Sequence, residues 1–83
     1  MSPPDALQAL LGEPRAALLR ALDRAETVGD LAERLWIVPS GITHHLDVLE
    51  PAGLVVRERR GRCVLVHRPV LGTRLLALYD NLR

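Results

Sequence analysis

Five arginines, Arg57, Arg59, Arg60, Arg62 and Arg68, fall within twelve residues, with Glu58 the single acid among them. All eleven Lys and Arg residues of the chain are arginine. A guanidinium is planar and always charged, and its fork of N–H donors fits phosphate oxygens and guanine edges in pairs. Several of them beside the turn residue Gly61 create a local positive field that the net charge of +1 conceals. The concealment comes from residues 1–35, where Asp5, Glu13, Asp23, Glu26, Asp30 and Glu33 outnumber Arg15, Arg20, Arg24 and Arg34. A second group, Ser40, Gly41, Thr43, His44 and Asp47, carries short polar side chains at the spacing of one helix face. Ser40, Thr43 and His44 can hydrogen-bond to bases or phosphates, and the Thr43 methyl matches a thymine methyl. Gly41 would permit close backbone approach. Asp47 would accept from a cytosine amine or repel a phosphate.

Other chemistries find little support. Cys63 is the single cysteine, so there is no internal disulfide framework, and one thiol cannot close a zinc site. It is expected as a buried strand residue. His44 and His45 are adjacent and would point to different faces of a helix, so one helix cannot offer both to one ion. His45 is expected half-buried in a structural role, and His67 stands alone. No metal site and no cofactor are expected. A glycine-rich phosphate loop, a Gly-x-Ser-x-Gly elbow and a converging carboxylate pair are all missing, which argues against an enzyme.

The elements that must position these residues follow from pattern. The 83 residues, 48% hydrophobic and without Phe, suit one domain with an aliphatic core. Pro3-Pro4 and Asp5 open a first helix to Leu11; Gly12 ends it, and Pro14 starts a second to about Arg24. Thr27 is a helix cap, with Asp30 three residues on, for a third helix over Val28–Leu35. After Trp36-Ile37-Val38, Pro39 opens a fourth helix to Leu49 or Ala52, with Ile42, His45, Leu46 and Leu49 on one stripe. Two short helices joined by a tight turn read as a helix-turn-helix over about 28–52. Trp36 is expected to pack at the edge of the core. Leu54–Glu58 and Cys63–His67 read as strands of a hairpin, a wing over 54–68 with an arginine tip. Pro69 opens a last helix over 70–82. The expected fold is therefore α+β, mainly α: a winged helix-turn-helix in a single domain spanning 1–83.

The segments "LGEPRAALLRAL", "TVGDLAERLWIVPSGITHHLDVLEPAGLV" and "RERRGRCVLVHR" resemble the ArsR-type winged-helix regulators over roughly residues 11–68. The resemblance implies bacterial repressors that dimerise through their first and last helices. It also implies that the fourth helix enters the major groove of double-stranded DNA, with the wings on flanking DNA. On that reading Ser40, Gly41, Thr43, His44, Asp47, Arg57, Arg59, Arg60 and Arg62 contact DNA. Leu7, Leu10, Leu11, Leu71, Leu75, Leu78, Tyr79 and Leu82 supply the homodimer interface. Trp36 departs from the family, since glycine usually holds the turn; Val38 replaces a Ser or Thr cap, Gly41 sits inside the helix, and Asp47 is acidic. These departures favour an alternative reading, a winged helix whose DNA face has decayed and which binds protein. The third helix lacks the paired cysteines, and the last helix the Asp/His/Glu set, of the family's metal sensors. No run approaches the ~18 apolar residues of a membrane span, and residues 1–12 lack the basic and apolar regions of a signal peptide. A cytoplasmic, membrane-free protein with an effector that the sequence does not specify is expected.

Overall fold

The computed structural model describes residues 5–80. In chain order the elements are α1 (Ala6–Leu11), α2 (Glu13–Ala21), β1 (Glu26–Thr27), α3 (Val28–Leu35), α4 (Pro39–Leu49), β2 (Val56–Arg60), β3 (Cys63–His67) and α5 (Val70–Asp80). The fold is mainly helical with a small antiparallel sheet, a winged helix-turn-helix.

Local chemistry explains the helix starts. The Asp5 carboxylate accepts from the backbone N–H of Leu7 and Gln8 at 3.0 and 3.2 Å, satisfying two otherwise unpaired donors of α1. The same carboxylate receives Arg20 at 2.7 Å, and Arg20 also reaches Asp80 at 3.2 Å, so one guanidinium ties α1, α2 and α5 together. The Arg20 hydrogen bond, helped by the backbone N–H groups against partial desolvation, lowers the Asp5 pKa to about 2. Thr27 caps α3 by accepting from the Asp30 N–H at 3.1 Å. Val38 gives α4 no side-chain cap, and Pro39 in the first turn removes a donor that would otherwise need one.

Between α3 and α4 the chain reverses through Trp36, whose φ of 57° and ψ of 38° are left-handed. The backbone N–H of Trp36 and of Ile37 both return to the Ala32 carbonyl, the pattern of a helix ended by an αL residue. A residue with a Cβ in this conformation costs about 1 kcal/mol or more relative to glycine.

Core residues come from every layer. Leu7, Leu18, Leu19, Leu22, Leu31, Ile42, Leu46, Leu49, Val55 and Val66 are fully enclosed, and among the described residues none of the buried side chains is polar or charged. The wing is joined by a two-residue turn, Gly61-Arg62, with Arg60 opposite Cys63. Gly61 has φ 61°, the positive value that short hairpin turns demand.

Several sequence expectations are corrected. The first wing strand begins at Val56 rather than Leu54, because Leu54 and Val55 are drawn into the core instead of pairing. The second helix stops at Ala21, three residues early. A third strand, β1, adds to the expected hairpin; Glu26 and Thr27 pair with Val66 and Leu65, giving the order β1-β3-β2. That extra strand covers the inner edge of the hairpin, which would be marginal alone. The expected extension of the last helix to Leu82 lies outside the described residues.

Candidate nucleic-acid interface

Burial of Ile42, Leu46 and Leu49 fixes the roll of α4. Ser40, Thr43, His44 and Asp47 consequently face solvent. Gly41 does not share their role. A Cβ built on it would lie 2.8 Å from Ile37 Cγ2 and 3.6 Å from Val38 Cγ2, so its bare Cα faces the turn of its own helix-turn-helix. Its missing side chain makes room for that turn, correcting the expectation that it serves close backbone approach to a ligand. His45 is half-buried, with Nδ1 3.4 Å from an Arg15 guanidinium nitrogen. Partial burial, then the charges of Arg15 and His44, hold its pKa below the ordinary 6.5.

The arginine cluster divides in two. Arg59, Arg60 and Arg62 stand exposed at the wing tip, Arg60 with a solvent-facing partner, Glu58, at 3.1 Å. Arg57 is turned inward. Its guanidinium meets Glu50 at 2.9 and 3.0 Å and Asp47 at 2.8 Å, and its backbone N–H donates to Glu50 at 2.8 Å. Hydrogen bonds from the Arg57 backbone and side chain lower the Glu50 pKa below its usual value. This clamp fastens the base of the wing to the end of α4. Arg57 is thus a strut rather than a free phosphate contact, and Asp47 has a cationic partner in its own chain. Arg68 is a strut as well, donating to the Leu19 carbonyl at 2.9 Å and to Thr73 Oγ1 at 3.1 Å. Arg15 donates to the Leu11 carbonyl at 2.8 Å, and Arg34 pairs with Glu26, so both have partners within the fold.

One residue of each outward group, Thr43 and Arg62, borders a shared cleft. An open cleft of about 370 Å³ is lined by Thr27, Val28 and Gly29 at the start of α3, by Thr43 on α4, and by Arg62, Cys63 and Val64 on the wing. Cys63 is exposed, not buried as expected, because its position opposite Arg60 at the hairpin end lies beyond the reach of the core. Trp36 is 95% exposed and does not pack at the core edge; a left-handed backbone directs its side chain away from the helices it joins.

The expected dimer residues also separate. Leu7 is 0% exposed and has no surface left for a partner, a correction that follows from its place between α1 and the other helices. Leu11, Leu75 and Tyr79 are half-buried against the core. Leu10, Leu71 and Leu78 are more than half exposed, as is Val70. Leu82 lies outside the described residues.

Fold and surface together define a winged helix-turn-helix protein. The chain belongs to the family described as "Helix-turn-helix domain", whose model matches residues 10–58. No curated protein sequence matches it. Among solved structures it is similar to the transcriptional regulator BldR from Sulfolobus solfataricus, with 28% identity and a TM-score of 0.78, over 90% of this chain and 58% of that one. It is similar to a MarR family transcriptional regulator from Silicibacter pomeroyi, with 27% identity and a TM-score of 0.82, over 94% and 57%. Reduced HlyU from Vibrio cholerae gives 28% identity and a TM-score of 0.73, over 93% and 83%. The chain therefore spans less than two thirds of the first two proteins and most of the third.

Proposed function

We propose that this chain is a DNA-binding transcriptional regulator that grips double-stranded DNA with α4 and the wing tip. One observation carries the reading. Thr43 of the recognition helix and Arg62 of the wing line the same cleft, so one residue of the polar helix face and one of the cationic tip meet on a single concave side. A helix of this kind enters the major groove, where Ser40, Thr43 and His44 are the groups free to meet base edges. Arg59, Arg60 and Arg62 neutralise phosphates on the flanking backbone, which positions the domain without reading sequence. Arg57, held by Glu50 and by the solvent-facing Asp47, fastens the base of the wing to the end of α4 and so sets the angle between them.

The finer reading is an ArsR-type repressor that acts as a homodimer on a pseudo-palindromic operator. The exposed Leu10 of α1 and Leu71 and Leu78 of α5 support pairing through the first and last helices. Two-fold symmetry would set the half-sites about one helical turn apart. Selection of duplexes from a random pool, followed by fluorescence anisotropy across a salt series, tests the proposal. Log affinity should fall linearly with log salt, and Arg60→Ala should reduce the slope by roughly one for each protomer bound. Absence of duplex affinity at low salt would overturn it.

A further inference from the structure

We propose that Trp36 is a DNA-backbone contact, an indole that packs against deoxyribose and donates to phosphate where the recognition helix enters the groove. The inference rests on the DNA-binding reading of α4 and adds a residue outside the polar face and the wing. Two observations single out Trp36. It is 95% exposed, although a lone indole on a solvated turn gains nothing for the fold. It also occupies a left-handed conformation, φ 57°, that glycine adopts freely and a bulky residue does not. The fold would be easier to make with another residue here, so the side chain stands against a local cost, the pattern expected where strain serves a site.

Position decides what the side chain meets. Trp36 lies three residues before Pro39, the first residue of α4, and exposed Val38 and Pro39 connect it to Ser40. Base contacts of such helices come from their N-terminal residues, so the turn sits at the groove edge when Ser40 and Thr43 face bases. An apolar strip at that edge confronts the sugar faces of one strand. An indole suits this wall, because its ring covers apolar surface and its Nε1–H supplies one donor. Sugar and phosphate are common to all sequences, so the contact adds affinity without adding base preference.

Trp36 is the one tryptophan of the chain, so its fluorescence reports this turn alone. The full chain is titrated with a duplex it has selected from a random pool, and acrylamide quenching is measured with and without DNA. Wild type should be readily quenched when free and protected when bound. Trp36→Gly should lose on the order of tenfold in affinity for selected and unselected duplexes alike, while its thermal midpoint stays level or rises as the left-handed strain is relieved. Trp36→Asn, which also tolerates this backbone, should behave the same way. Tight duplex binding with Trp36 still fully quenchable, and no loss in either variant, would overturn the contact and leave the DNA-binding reading standing. Failure of the wild-type chain to bind any duplex at low salt would overturn both. Protection that grows with protein concentration in the absence of DNA would give the turn to a second copy and overturn the contact. So would capture of a protein by wild type but not by Trp36→Gly, with duplex affinity unchanged.

Discussion

Arg57, Glu50 and Asp47 carry the clearest lesson at the scale of single residues. Arg57 is one of five arginines in a short run and shares a strand face with Arg59, yet it lies at the base of the wing beside the end of α4, while Arg59 lies toward the turn. The Arg57 side chain turns toward the end of α4, and the Glu50 carboxylate takes both its guanidinium and its backbone N–H. Glu50→Gln should loosen the clamp by about 1 kcal/mol, because the neutral amide weakens charge-assisted bonds that are only half-buried. Urea unfolding reads that loss, and faster amide exchange at Arg57 should accompany it; unchanged exchange would mean the wing is held by packing alone. His45 supplies a prediction with a defined pH window. Its folded pKa is depressed by burial and by Arg15, so the unfolded chain binds a proton first as the medium is acidified. Stability is then full above 6.5 and declines as pH falls toward the depressed folded value. Asp5, at about 2, and Glu50, below 4.5, remain ionised through the upper part of that decline. His45→Gln should flatten the fall of the thermal midpoint as pH drops below 6.5; a slope identical to wild type would remove His45 from the account.

At the scale of elements, most helix bounds and the returning wing strand Cys63–His67 are legible in the sequence, and β1 is not. Ile42, Leu46 and Leu49 recur at helical spacing, Pro39 and Thr27 mark starts, and the bounds of α3 follow the sequence reading to the residue. The β1 strand is two residues long, too short for any alternation to register, and it exists only because β3 passes beside it. The exposed face of α4 was legible because burying its apolar stripe leaves one outward side. The inward turn of Arg57 and Arg68 was not, since their partners lie in other elements and no local pattern announces them. Glycine at close contacts gives the test that belongs here. In α4, Gly41→Ala gains up to about 1 kcal/mol of helix propensity. The new methyl, however, would meet Ile37 Cγ2 at 2.8 Å, and a β-branched side chain has little freedom to swing aside. A net loss of about 1 kcal/mol is expected. Gly72→Ala in α5 should cost more, about 2–3 kcal/mol, because its Cβ would lie 2.5 Å from the Leu54 backbone carbonyl oxygen, which cannot rotate away. Denaturant midpoints rank the pair, and a stabilised Gly72→Ala would contradict the packing of α5 against the wing junction.

At the scale of the whole molecule, the proposed function asks how one small domain would achieve useful affinity for DNA. Three exposed wing arginines and a short polar helix face make a modest footprint, and counterion release scales with the phosphates neutralised. Doubling the footprint through a second copy is the economical remedy, and the chain has the surface for it. Leu10 on α1 and Val70, Leu71 and Leu78 on α5 are all more than half exposed, on two helices that pack together and are tied by Arg20 through Asp5 and Asp80. Leu78→Glu places a charge on that apolar face without disturbing the core, because Leu78 is 66% exposed within the protomer. Sedimentation should find wild type as a dimer and Leu78→Glu as a monomer with a near-native circular dichroism spectrum. The salt slope of DNA binding should fall by about half, since each protomer brings its own phosphate contacts. Loss of slope without loss of dimer would move the association elsewhere, and a monomeric wild type would leave each domain to bind its half-site alone. The two measurements together separate a surface that pairs subunits from one that only happens to be apolar.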